Sequence, residues 1–173
     1  MKDERFAGYT LSCKRKRFKT KAVMKLLALT YWAKDRDHDT VRRANKNSVP
    51  FGVFAPDGTL VGFMRIVTDH ATVYYIGDVV VAEEARGKGL GLALVKYALT
   101  HPTACRGKGL LLTQTANGLY EKVGFYNVHD RLMVRDPVTK YKGVAEREAV
   151  AAAVAAQAEG AGEAPQPEGA PQA

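Results

Sequence analysis

The sequence predicts a mixed α/β sandwich, and three observations carry that reading. Pro56-Asp57-Gly58 stands between two β-rich runs as a tight turn, so Pro50–Ala55 and Thr59–Thr68 form a hairpin. The run from Thr72 to Ala82 is almost continuously apolar over Val79–Val81, as in a strand covered on both faces. It leads through a glycine cluster into Leu90–Leu99, which is apolar except at Lys96 and so reads as a largely covered helix.

The remaining elements are set by periodicity. Tyr9–Cys13 alternates apolar and polar residues and predicts a first strand. Lys21–Lys34 places Val23, Leu26, Leu27, Thr30 and Tyr31 at helical spacing. Asp39 or Thr40 is placed to cap a short helix through Asn45. Leu110–Thr113 is a short buried strand, Thr115 a cap for a helix over Ala116–Lys122, and Phe125–Val134 a last strand or strand pair. The order β-α-α-β-β-β-α-β-α-β argues against a doubly wound sheet of strictly alternating units.

Composition bounds the rest. The 173 residues suffice for one domain and an appendage, with 46% hydrophobic and 25% charged residues. No apolar run reaches the roughly 18 residues of a membrane span, and Met1-Lys2-Asp3-Glu4-Arg5 precedes no signal-like apolar stretch. Cys13 and Cys105 show neither metal nor redox spacing, so the expected compartment is the reducing cytoplasm. The net charge is +8, but Glu146, Glu148, Glu159, Glu163 and Glu168 outweigh Arg147, leaving residues 1–143 at +12. A basic body suits an anionic partner such as nucleic acid, a membrane surface or a phosphorylated cofactor. Composition changes near Gly143, which predicts a domain over 1–143 and an acidic tail over 144–173. That tail would be an Ala-rich helix over Glu146–Ala158, then a disordered segment.

The chemistry is concentrated in Arg86-Gly87-Lys88-Gly89-Leu90-Gly91, between a strand and a helix. Glycines permit close approach and positive φ, and the first helical turn offers unpaired N–H groups beside a positive dipole end. Arg86 and Lys88 add charge, so a diphosphate is a natural guest. No GxxxxGK[ST] string is present, and both frames of GxGxxG fail, at Leu92 and at Leu94. Arg-x-x-Gly-x-Gly fits. The tetrapeptide recurs as Arg106-Gly107-Lys108-Gly109, but ahead of a strand, where it reads as a basic surface turn.

These residues resemble the GNAT superfamily of N-acetyltransferases, as does a second segment, Leu119-Tyr120-Glu121-Lys122-Val123-Gly124-Phe125. The resemblance spans roughly Tyr9 to Val134. It implies an acyl-CoA N-acyltransferase fold with a central, mostly antiparallel sheet, and acetyl-CoA as co-substrate without a metal. By that resemblance, Arg86, Gly87, Lys88, Gly89, Leu90 and Gly91 hold the pyrophosphate. The backbone of Val79, Val80 and Val81 meets the pantetheine arm, although their side chains read equally well as core. Tyr120 is the candidate acid that protonates the departing thiolate, against a purely structural reading in which it packs on the sheet. Asp78 is the candidate base. Family members often have a further acidic residue before it, where this chain has Gly77, and Asp78 also reads as a residue bonding the loop backbone.

The acceptor is expected to be a small-molecule amine or a protein amine, and the sheet edges would allow a homodimer. His38, His70, His101 and His129 lack metal spacing and read as surface residues, with His70 near the presumed acceptor side. Tyr31 and Trp32 read as core aromatics or as part of an acceptor pocket. Lys14–Lys21 is a dense basic run with one aromatic, Phe18, and offers an alternative reading as a nucleic-acid contact. No nucleic-acid recognition motif accompanies it, so a solvated strand end and loop is the favoured account. A second alternative is an acyl-CoA-binding module without catalysis.

Overall fold

The computed structural model describes residues 1–104, 107–128 and 132. The chain divides into Met1–Asn127 and Val128–Ala173, and the fold belongs to the first unit. Among the described residues six strands make one sheet in sequence order: β1 (Glu4–Phe6), β2 (Tyr9–Ser12), β3 (Val49–Phe54), β4 (Leu60–Thr68), β5 (Val73–Val81) and β6 (Lys108–Leu111). The first five pair antiparallel, and β6 joins β5 in parallel. The expected mostly antiparallel sheet flanked by helices is therefore what forms.

Turn chemistry sets the hairpins. Gly58 has φ +87°, and Asp57 Oδ1 accepts from Thr59 N at 2.9 Å, closing the β3–β4 turn. Ala7 and Gly8, at φ +50° and +83°, make the two-residue turn between β1 and β2. Sequence reasoning missed β1, whose three residues are all exposed and leave no buried alternation to detect.

Alternation along the strands separates two packed faces. On one, Phe18 meets Phe54 and Phe63 at ring-centroid distances of 5.6 and 6.0 Å, and α1 (Thr20–Leu27) buries Val23, Leu26 and Leu27. On the other, Phe51 meets Tyr97 of α3 (Leu90–Leu99) at 6.1 Å. α2 (His38–Lys46) packs on β3, and α4 (Asn117–Glu121) packs on α3.

Several boundaries differ from expectation for local reasons. α1 stops at Leu27, not Lys34, because Leu29 N and Thr30 N turn back to Leu26 O and Leu27 O, and Thr30 Oγ1 also donates to Leu27 O at 2.7 Å. Tyr31 and Trp32 thus leave the helix and are 66% and 40% exposed, so they are not core. The cap of α2 is Asp37, whose Oδ1 accepts from Thr40 N at 2.8 Å, not Asp39 or Thr40. β6 begins at Lys108, placing half of the second RGKG in the strand rather than in a turn. Thr113 rather than Thr115 supports the start of α4, its hydroxyl accepting from Ala116 N at 3.0 Å. Residues 125–128 form no strand. The rest of that expected strand apart from Leu132, His129, Cys105 and the tail over 144–173 lie outside the described residues. His101 is half-buried, its ring against Phe51 at 5.4 Å, rather than solvated.

The basic run is a largely solvated strand end and loop, with Lys14, Arg15, Lys16 and Lys19 exposed, but three of its cations bond back to the fold. Arg15 donates to Asn45 O and Ser48 O at 2.5 and 2.6 Å, serving carbonyls at the end of α2. Lys14 pairs with Asp3 at 3.0 Å, and the Arg17 guanidinium lies 3.7 Å from the Phe54 ring centroid.

Gly52 is where this segment meets the sheet: a Cβ there would lie 2.7 Å from Phe18 Cε1 and 2.8 Å from Leu60 Cδ1. Gly52→Ala is therefore expected to lower unfolding stability by about 1–3 kcal/mol through overpacking. Denaturant titration checks this, and a Phe18→Leu partner substitution should recover part of the loss.

Candidate active site

Strand β5 is paired along its whole length on one side only. β6 accompanies it over Val73–Ile76, opposite Lys108–Leu111, and no described strand flanks Gly77–Val81 on that side. β4 continues opposite Gly77, Val80 and Val81. Phe63 faces Val80 and Arg65 faces Gly77, so Asp78 and Val79 together oppose Met64, forming a β-bulge. Asp78 sits in the bulge at φ +58°, a conformation an aspartate tolerates better than most residues. Val80 is buried, and Val79 and Val81 are half-buried beside the open edge.

The cradle continues from the end of that edge. A short 3₁₀ turn over Glu83–Ala85 leads to Gly87 and Gly89, with φ +76° and +73°; Gly89 caps α3. The first bond of α3 is Ala93 N to Gly89 O at 3.0 Å, and from Gly87 to Leu92 no backbone N–H donates to another described residue. A row of free N–H groups at a helix N-terminus is an anion site by construction. Arg86 Nε donates to Val81 O at 3.1 Å, tying the loop to the end of β5. Lys88 Nζ donates to Tyr9 Oη at 2.9 Å and to Glu84 O at 3.1 Å. Leu90 is buried and anchors the helix start. A Cβ at Gly91 would touch Leu119 Cδ1 at 3.4 Å and Val81 Cγ2 at 3.9 Å, so strand end, helix start and α4 meet there.

Tyr120, on α4, is buried, with Phe125 at a ring-centroid distance of 6.1 Å. Its hydroxyl makes no hydrogen bond to another described residue. Burial, and then the nearby Tyr75 phenol, push its pKa above the ordinary tyrosine value. It therefore stays a neutral O–H donor through the physiological range.

Beside the bulge lies a cluster that sequence reasoning missed. Arg36 Nη1 donates to both Asp78 carboxylate oxygens at 2.8 Å, and Arg65 Nε donates to Oδ2 at 2.5 Å. Asp78 thus bonds two guanidinium groups rather than the loop backbone. Tyr75, half-buried, faces the same cluster. Burial and then the Asp78 charge raise its pKa, with the two arginines opposing. Arg65 had a readable signal, a lone cation in the apolar run Val61-Gly62-Phe63-Met64-Arg65-Ile66-Val67. Arg36 lies in the turn after α1 and had none. His70 lies in the β4–β5 turn, at the opposite end of β5 from Val79–Val81.

The unflanked edge of β5 therefore leads into a glycine turn and a helix start whose N–H groups have no described partner. Comparison with known proteins identifies the family. The acetyltransferase (GNAT) family profile matches residues 20–125. A Xanthomonas campestris pv. campestris protein described as a GNAT-family acetyltransferase superposes with a TM-score of 0.72 at 33% identity, over 80% of this chain and 99% of that one. A Deinococcus radiodurans R1 protein described as an acetyltransferase gives 0.60 at 19% identity, over 78% and 94%. Glucosamine-6-phosphate N-acetyltransferase from Arabidopsis thaliana gives 0.53 at 19% identity, over 78% and 98%. The last two likenesses concern the fold alone. No curated protein sequence matches this chain. The family match and the Xanthomonas relative place the chain in the GNAT family of acetyltransferases, enzymes that transfer an acyl group from an acyl-CoA.

Proposed function

We propose that this chain moves an acetyl group from acetyl-CoA to a primary amine by direct attack within a ternary complex. The carrying observation is the continuity of the open edge of β5 with the left-handed Gly87 and Gly89 and the free N–H row beyond them. The diphosphate sits on the Gly87–Leu92 amides beside Arg86 and Lys88. The pantetheine arm adds along Val79–Val81 as a strand would, through main-chain hydrogen bonds. A β5 N–H polarises the thioester carbonyl. The described helices include none long and apolar enough to cross a membrane, and we assign the enzyme to the cytoplasm.

In the transfer step the neutral amine nitrogen attacks the acetyl carbon, the C–S bond breaks, and the sulfur takes the proton of Tyr120. The phenol is restored from water, which also receives the proton lost by the amine. Acid catalysis of this kind contributes about 10²–10⁴-fold. Tyr120→Phe should lower kcat at least about a hundredfold in a thiol-release assay while acetyl-CoA affinity changes little. Because burial raises the phenol's pKa, the falling limb of wild-type kcat should lie above the ordinary tyrosine range. Wild-type turnover in Tyr120→Phe removes the acid role.

Asp78 is the harder residue. Both oxygens of its carboxylate are already engaged, Oδ1 by Arg36 and Oδ2 by Arg36 and Arg65. We assign Asp78 the positioning of Arg36 and Arg65, with water taking the amine proton. Asp78→Asn keeps the side-chain shape and tolerates the positive φ. It should raise the acceptor KM about tenfold or more and leave the rising limb of the kcat–pH profile in place. Loss of that limb would instead assign Asp78 as the base.

A further inference from the structure

Arg36 and Arg65 do more than satisfy Asp78. Each guanidinium has five N–H donors in a planar fork. Arg65 commits Nε to Asp78, and its two Nη groups donate to no described residue. Arg36 commits Nη1, leaving Nε and Nη2 without a described partner. None of these nitrogens is sealed from solvent. The side chains are 16% and 29% exposed, whereas the Asp78 side chain between them is 5% exposed. Donor edges are thus fixed at one end by a buried carboxylate and open at the other.

Their position gives them a use. Tyr75 Cε1 and Arg65 Nη2 converge over Gly77, at 3.1 and 3.8 Å from where its Cβ would stand. Gly77 begins the unflanked half of β5, and Tyr75 is also the phenol that Tyr120 senses. The start of the open strand, Tyr75 and the two arginines therefore adjoin one another around the bulge. One Asp between two Arg leaves the cluster with a net charge of +1, which matches one carboxylate better than a phosphate dianion.

We propose that Arg36 and Arg65, held by Asp78, bind a carboxylate carried by the acceptor, so that the acceptor is an amino acid or a similarly acidic amine. This rests on the acetyltransferase reading of the same site. A paired, partly desolvated guanidinium fork recognises a carboxylate by charge-assisted and bidentate hydrogen bonds. The same cations disfavour an ammonium nearby, which biases a bound amine toward its neutral, nucleophilic form and discriminates against polycationic acceptors. Tyr31 and Trp32, exposed in the turn that leads to Arg36, lie on the same segment and offer apolar area to the rest of such an acceptor.

The test compares a panel of amino acids with their own carboxamides and with the diamines putrescine and spermidine, following CoA release by the full chain. The expected kcat/KM for the best carboxylate exceeds that of its carboxamide by about ten- to a hundredfold. In Arg65→Gln and in Arg36→Gln that ratio should fall toward one, with acetyl-CoA still raising the melting temperature as in the wild type. Arg36→Lys, which keeps charge without the fork, should restore only part of the ratio. Preference for carboxamides or diamines overturns the proposal, as does an undiminished ratio in both glutamine variants. Acetyl-CoA binding without turnover of any carboxylate-bearing amine counts against it equally. Absence of any acetyl-CoA stabilisation in the wild type instead overturns the transferase reading beneath it.

Discussion

The structure depends on a strand that is paired on both sides for half its length and on one side for the rest. β6 accompanies β5 only to Ile76, and the bulge at Asp78 and Val79 falls just beyond that point. Backbone polar groups must be satisfied by some partner. A sheet interior that ends in mid-strand therefore creates a demand that an extended ligand can meet. The loop from Glu83 to Gly89 then carries the chain from that edge to a helix start with its own free donors. The glycines at 87 and 89 matter because their φ values would strain any residue with a Cβ.

Electrostatics at the bulge arise from the same break. A carboxylate as buried as Asp78 is costly unless charge and hydrogen bonds compensate it. Arg65 from β4 and Arg36 from the turn after α1 supply both. The arrangement ties three separate parts of the chain to one point beside the open strand. It also leaves guanidinium N–H groups without a described partner beside that strand. Tyr120 of α4 is buried against Phe125, and that burial raises its pKa above the ordinary tyrosine value.

Much of this was legible in the sequence where local rules decide. The Asp57-Gly58 turn, the apolar β5 and α3, and the glycine cradle all depend on short-range chemistry. The two copies of RGKG were separable because one runs into a helix and the other into a strand. Boundaries set by side-chain hydrogen bonds were less legible. Thr30 ends α1 by bonding Leu27 O, and Asp37 rather than Asp39 caps α2, choices that periodicity does not register. Arg15 and Arg17 read as a solvated basic run because their partners, Asn45, Ser48 and Phe54, are distant in sequence. The arginine cluster was hidden for the same reason: Arg36, Arg65 and Asp78 are brought together only by the sheet and the α1–α2 turn.

We place acetyl-CoA along the open half of β5 and on the amides that begin α3. Amide hydrogen exchange of the full chain, with and without acetyl-CoA, addresses it directly. Increased protection is expected mainly at residues 79–81 and 87–92. Unchanged exchange in both segments at saturating acetyl-CoA, with protection appearing elsewhere, would contradict it.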